Sequence, residues 1–543
     1  MKIKSLLQPV LPDFPDTLPN NEIEVLKEIP IETLYFALKK SDDETALWVY
    51  TNSRVEQIQG LLDLDCWNGD EFLGERYNNH FCILAQTAPQ RLWELSKWMD
   101  PEIFVRGLLD QVDVLDYDPQ EPPEVMERDL MISPDSKYAL IMKTHNPNVR
   151  EALYQWMNKL SAVDIDLLRR HLESCKWEQA SDLEEYGYQI KKGRLEDLGF
   201  VERIEAVGLY SKGYNSSGLK QHMLANPLPP EAKTGAETLE TTINTELLPE
   251  KVQAPLFANG FLSESIAAVD SEPLKRTLYQ ELVRTVNAMI IADELLHEEL
   301  EVIGAASKRS RLYIDVGLAF LADAQPKRGA EMLVAHRIFD IYRLGWLLVQ
   351  DLAKAAEEIK KLYTPRWFGT VDAALLGAIE GRHPKLPTSV IQDLGIELED
   401  FVHLEGVTKL GERLAQLRLL GNYFVQDLKA SMQLEADPLS SSESAYSRLM
   451  TGVFRQASGL EFSVRPITSQ EWLEAVKNYD KFKVTKMADL VTARAPEAAK
   501  TLLARRLGEE AELLEELVKH HRTIAPNGKF VSCVRVASDG VSG

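Results

Sequence analysis

From Leu274 onward, apolar side chains fall where one face of a long helix would place them: Leu278, Leu282, Val286, Met289, Ile290, Leu296, Leu300 and Ile303. A stripe at this period must be buried against other helices. The same period recurs along most of the 543 residues. The chain is therefore expected to be mainly α and multi-helical, with two helical bodies joined by a linker and one small β-hairpin. Two polar residues, Asp293 and His297, interrupt the Leu274 stripe. The sequence contains no P-loop, no G-x-G-x-x-G and no G-x-S-x-G. Phosphate cradling, dinucleotide binding and hydrolase chemistry thus lack their usual sequence carriers.

At about 100–200 residues per domain, this length implies about three domains. Residues 1–21 read as an N-terminal extension and 22–207 as a helical domain. Within that domain, Pro30 opens a helix, and Asp100 is placed to cap another that has Pro101 at its first position. Residues 110–129 hold eight acids against one arginine. Their prolines and the lack of a central glycine fit no calcium loop, so they read as a solvated connector. The hairpin is expected near 130–143, where Ser133-Pro134-Asp135-Ser136 supplies turn chemistry between two apolar runs. Gly199 is a plausible helix C-cap.

Residues 208–256 are rich in proline, glycine and small polar residues and read as the linker. A central helical domain is expected over 257–435. Its long helices are placed at 272–305, 309–323, 328–361 and 402–435, with Asp323-Ala324-Gln325-Pro326 as a turn. Residues 436–543 form a C-terminal helical extension and tail. There a Ser-rich turn at 439–444 precedes helix 445–457, and Pro496 enters a helix within 484–522. The run Phe530–Val536 has strand composition.

The charge balance is acidic, with 84 Asp and Glu against 61 Lys and Arg, net −23. Such a surface disfavours nucleic acid, whose phosphates need a positive partner. No window approaches about 18 uninterrupted apolar residues, so no membrane insertion is expected. The N-terminus makes a poor signal peptide, because prolines interrupt its short apolar stretch. Four cysteines in so long a chain are no disulfide scaffold, which points to the reducing cytoplasm. Cys66, in an apolar run beside Trp67, reads as a buried structural thiol. His520 and His521 at a helix end read as complementing its dipole. Trp346, Trp367 and Trp472 read as core.

The sharpest chemical candidate is Glu294 with His297. On a continuous helix, three residues are about one turn, so a Glu-x-x-His pair can aim both ligands at one metal ion. The second Glu-x-x-His and the facing glutamates of a di-iron centre are missing from the sequence. His297-Glu298-x-x-Glu301 also falls short of the zinc pattern H-E-x-x-H. The competing reading is an acidic helix with one half-buried histidine. Asp293 falls where the stripe wants a core residue. A buried carboxylate needs a partner, and Arg311, Arg337 and Arg343 are the candidates.

The segments Leu61–Trp67 (LLDLDCW), Gly193–Phe200 (GRLEDLGF), Val316–Leu321 (VGLAFL) and Ile338–Gly345 (IFDIYRLG) together resemble an uncharacterised family of long, mainly helical bacterial cytosolic proteins, a domain of unknown function. The similarity spans about residues 22–435. The resemblance implies no activity and no functional residue. The N-terminal hundred residues also resemble the helical cytosolic domain of MgtE magnesium transporters. That would imply a regulatory binder of divalent cations or of a small ligand.

The expected function is a cytosolic helical scaffold or adaptor that binds other proteins, with self-association open to it and no catalysis or cofactor of its own. The alternatives are a metal-dependent enzyme built on Glu294 and His297, and the regulatory binder.

Overall fold

The computed structural model describes residues 2–11, 21–197, 200–229, 250–362, 370–390, 396–401, 403–424, 445–526 and 533–537. Over these the chain is mainly α. It divides into two compact units. The first comprises Met1–Ser211, Met223–Ile314 and Leu321–Arg343, and the second Lys212–His222, Asp315–Phe320 and Leu344–Gly543. Of the expected linker, residues 230–249 lie outside the described residues, as do Gly199, Trp367, the 425–435 end of the predicted helix, the Ser-rich turn and Phe530–Ser532.

In the first unit, helices are short and paired. Gly74–Gln86 and Pro89–Trp98 pack on Pro147–Val163, and Pro101–Leu109 packs on Ile165–Trp177 and Ala180–Asp197. Leu92, Leu95, Phe104, Leu108, Leu153, Trp156 and Leu172 meet in the core. The predicted hairpin forms, pairing Leu130–Ile132 with Tyr138–Met142 in antiparallel register. A third strand, Val112–Asp116, pairs with the other edge of Tyr138–Met142. It lies inside the acidic stretch read as a connector. Val112 and Val114 are buried while Asp113 is exposed, a two-residue alternation that the acid count hides.

The predicted helix 272–305 is two helices, Glu272–Ala292 and Leu300–Leu321. Leu278, Leu282, Val286, Met289 and Ile290 are buried as the stripe requires. The break lies at Glu294, whose φ is +59°. Its N–H donates to the Ile291 carbonyl at 3.1 Å, and Leu295 N–H donates to that of Ile290 at 2.9 Å. These two bonds form a Schellman ending, with glutamate where glycine is usual. Likewise 328–361 is split into Pro326–Ala335 and Ile338–Leu362, with His336 extended between them.

In the second unit, helix Ala445–Ala457 is buried almost all round and packs on Lys481–Ala493 and Glu497–His520. Arg455, 2 % exposed, makes a two-pronged bond to Glu471 at 3.0 and 2.9 Å. The hydrogen bond from Arg455 pulls the Glu471 carboxyl down to about 2, against the effect of its burial. Trp346 and Trp472 are core. Pro496 precedes Glu497–His520 as predicted. Val536 of the tail makes a parallel bridge to Ile467.

Helix Pro101–Leu109 approaches Gly74–Gln86 through Gly107. A Cβ at Gly107 would fall 2.0 Å from Tyr77 Cε1. The Tyr77 ring cannot give way, being 2 % exposed and stacked on Phe81 at 6.0 Å. Gly107→Ala is therefore expected to destabilise the first unit by about 2–3 kcal/mol through overpacking, measured by urea unfolding.

Candidate functional site

Three stretches of the first unit enclose a pocket. Helix Val55–Asp65 ends at Cys66, and the chain turns through the short pair Trp67–Asn68 and Glu71–Phe72. Gly69 makes that turn with φ +63°. Helix Ala180–Asp197 contributes Tyr188, Lys191 and Leu195, which its period sets on one face. The 293–297 turn closes the third side. The pocket holds about 740 Å³ of empty space including its mouth, lined by Trp67, Tyr188, Lys191, Phe200, Leu296 and His297 among others.

Arg194 holds two of these stretches together. Its Nε and Nη2 donate to Asp63 at 2.7 and 2.9 Å, and Asp63 has no exposed side-chain surface. Burial pushes the Asp63 carboxyl up, and the bonds from Arg194 work against that. Asp100, expected to cap its helix, makes no cap bond. Its carboxylate lies 2.6 Å from Arg194.

Lys191 is the distinctive group. It is 6 % exposed and has no carboxylate partner among the described residues. Its Nζ donates to the Gly69 carbonyl at 2.8 Å and lies 4.8 Å from the Trp67 ring centroid and 5.2 Å from that of Tyr188. Burial pulls its pKa down to about 8, opposed by the charges of Asp63 and Asp70. The Trp67 indole N–H is also buried, with no acceptor among the described residues.

His297 is committed at both nitrogens. Nε2 lies 3.0 Å from the Trp67 carbonyl, so it carries the proton and donates it there. Nδ1 lies 3.4 Å from the Tyr35 hydroxyl. Burial and the nearby Arg76 hold the ring pKa below its usual range. Tyr35 Oη is in turn 3.2 Å from both Asp65 Oδ1 and the Leu296 carbonyl. Asp65 receives Arg76 at 2.7 Å and His80 at 2.9 Å, and together these outweigh burial and hold its carboxyl well below the usual range. From outside, Lys39 Nζ donates to the carbonyls of His297 and Glu298 at 2.9 and 3.1 Å.

Glu294 and His297 thus sit on a turn, and the helical spacing that would aim both at one ion is replaced. The Glu294 carboxylate meets Arg203 at the half-exposed pocket rim. Among the described residues, no group of three or more His, Cys, Asp or Glu is placed to hold a metal ion. The Asp293 side chain is 8 % exposed and pairs with Arg309 at 3.4 Å. Of its expected partners, Arg311 donates to the Ala258 carbonyl and Arg343 to that of Ser211. Cys66 is buried, and burial pushes its thiol pKa far up. Sequence reasoning missed Lys191, Trp67 and Tyr188. Tyr188 and Lys191 at i and i+3 are the available signal, and it is one that any helix face gives.

A second, smaller cavity shares the walls Phe200 and Leu296. It contains Glu32 and Asn287, 7 % and 6 % exposed. Asn287 Nδ2 has no acceptor among the described residues, and burial raises the Glu32 carboxyl to about 7.

Two outcomes follow. Glu294→Ala and Glu294→Gly both lose an exposed ion pair, but only glycine relieves the left-handed backbone. The glycine variant should be more stable than the alanine variant by about 1 kcal/mol in urea unfolding. Glu32 binds its proton more tightly folded than unfolded, so its contribution is fully present below about 4.5 and is lost as pH rises through about 7. Glu32→Gln should therefore be more stable than the parent at pH 8, by up to about 3 kcal/mol. That advantage should shrink as pH falls toward 4.5.

No curated protein and no solved structure matches the chain, and the likeness of its N-terminal hundred residues to MgtE is not shown. A family model described as a family of unknown function (DUF6178) matches residues 20–537. Spanning nearly the whole length, that match makes this chain a member of the DUF6178 family.

Proposed function

We propose that this protein works by recognition, as a helical scaffold for protein partners whose first unit holds a small ligand. The observation that carries the reading is Lys191. A buried ammonium spending one bond on a carbonyl keeps donor capacity for something that enters its pocket. The pocket's walls are mostly apolar, with a few polar groups among them.

The scaffold half of the reading draws on large exposed apolar residues. Trp98, Trp177 and Phe482 are 66 %, 72 % and 75 % exposed. Exposed aromatic side chains are favoured anchors for protein partners. The net charge of −23 favours proteins over nucleic acid as those partners. Cys66, Cys175 and Cys533 are unpaired and buried, which supports a reducing compartment such as the cytoplasm. Among the described residues, no helix is long and apolar enough to cross a membrane.

The test is native affinity capture of the full chain, with elemental analysis of the same sample. A protein recovered at fixed stoichiometry, and lost when Trp98 and Trp177 are changed to serine, is the expected result. Recovery of the chain alone would remove the scaffold half. Stoichiometric metal, lost in both Glu294→Ala and His297→Ala, would replace the whole reading with a metal site.

A further inference from the structure

We propose that the pocket of the first unit takes a small organic monoanion, a carboxylate carried on a flat apolar body. This rests on reading the pocket as a ligand site. Two residues that line it, Lys191 and Trp67, carry donors with capacity to spare. Lys191 Nζ has one hydrogen-bond acceptor, the Gly69 carbonyl, and two ring faces. The Trp67 indole N–H has no acceptor among the described residues. Unspent donors ask for acceptor oxygens, and a buried ammonium asks for negative charge. A cationic ligand would meet Lys191 with like charge.

The charges around the pocket limit that anion to one. Lys192 is paired with Glu202 at 2.6 Å, Arg203 with Glu294, and Asp63 with Arg194. Among the described residues, Lys191 is left as the pocket's buried cation without a carboxylate. Glu196, Glu202 and Glu294 also line the pocket, so a second negative charge would be repelled with nothing to neutralise it. His297 adds no charge, because its ring is held neutral with Nε2–H on the Trp67 carbonyl. The remaining walls, Tyr188, Leu195, Phe200, Ile291 and Leu296 beside Trp67, offer ring faces and branched apolar surface suited to a flat body.

The experiment uses the full chain and measures thermal midpoint and tryptophan emission. Its probes are benzoate and indole-3-acetate, compared with benzamide, benzylamine and phenyl phosphate. The carboxylates should raise the midpoint saturably, because ligands that bind the folded state stabilise it. Benzamide, benzylamine and phenyl phosphate should each bind at least about tenfold more weakly, the factor expected when a charged hydrogen-bond partner is absent or misplaced. Lys191→Met should weaken carboxylate binding by at least the same factor, and Trp67→Phe, which keeps a ring but removes the N–H, by several-fold. Binding of benzamide, benzylamine or phenyl phosphate as tight as that of the carboxylates would overturn the monoanion and leave the pocket standing. So would carboxylate binding unchanged in both variants. No binding of any probe would overturn both the inference and the ligand pocket.

Discussion

One guanidinium ties three helices of the first unit together. Arg194 reaches from helix Ala180–Asp197 to Asp63, near the end of Val55–Asp65, and to Asp100, at the start of Pro101–Leu109. Three helices that are distant in the chain are thereby held in one geometry. Gln59 completes the arrangement, donating to Asp63 at 3.3 Å and accepting the Asp100 backbone N–H at 2.9 Å. That second bond satisfies the Asp100 N–H, one of the donors left over at the start of Pro101–Leu109. A buried ion pair of this kind gains little net stability after desolvation, but losing one partner strands the other and costs several kcal/mol. Its effect here is positional. It fixes the angle at which Tyr188 and Lys191 face Trp67.

A second polar network serves the opposite wall. Asp65, held ionised by Arg76 and His80, orients Tyr35, and Tyr35 reaches the Leu296 carbonyl and His297. The 293–297 turn, beyond its own backbone bonds, is thus tied from the side. The unusual glutamate in a left-handed conformation persists because its surroundings hold it there, including the Arg203 pair and the Lys39 bonds to the next carbonyls.

Helical faces were legible in the sequence because burial repeats with the helix, and the stripe from Leu278 to Ile290 is core as read. Helix ends were not. The ending at Glu294 carries no glycine, so nothing local announced it, and the metal reading depended on the helix continuing. The strand Val112–Asp116 was hidden by the acid-rich stretch around it, although Asp113 takes the solvent side between buried Val112 and Val114. Asp293 does pair with an arginine, as a buried carboxylate must, and Arg309 is a partner that the stripe did not single out. The pocket itself was invisible as chemistry, though two segments that carry the family resemblance, Leu61–Trp67 and Gly193–Phe200, meet there through Asp63 and Arg194. Only the fold reveals that juxtaposition, because 131 positions separate the two residues.

That separation bears on the order in which the molecule assembles. The His297–Trp67 bond spans 230 positions and the Lys39–His297 bond 258. The helix pairs of the core, such as Gly74–Gln86 and Pro89–Trp98 on Pro147–Val163, join segments nearer in the chain. Closing the longer loops costs more entropy and follows the local contacts. The pocket is therefore among the last features of the first unit to form. A nascent chain that has not yet reached residue 297 lacks one wall of this cavity, so the cavity can close only after the N-terminal helices that supply its other walls have been made.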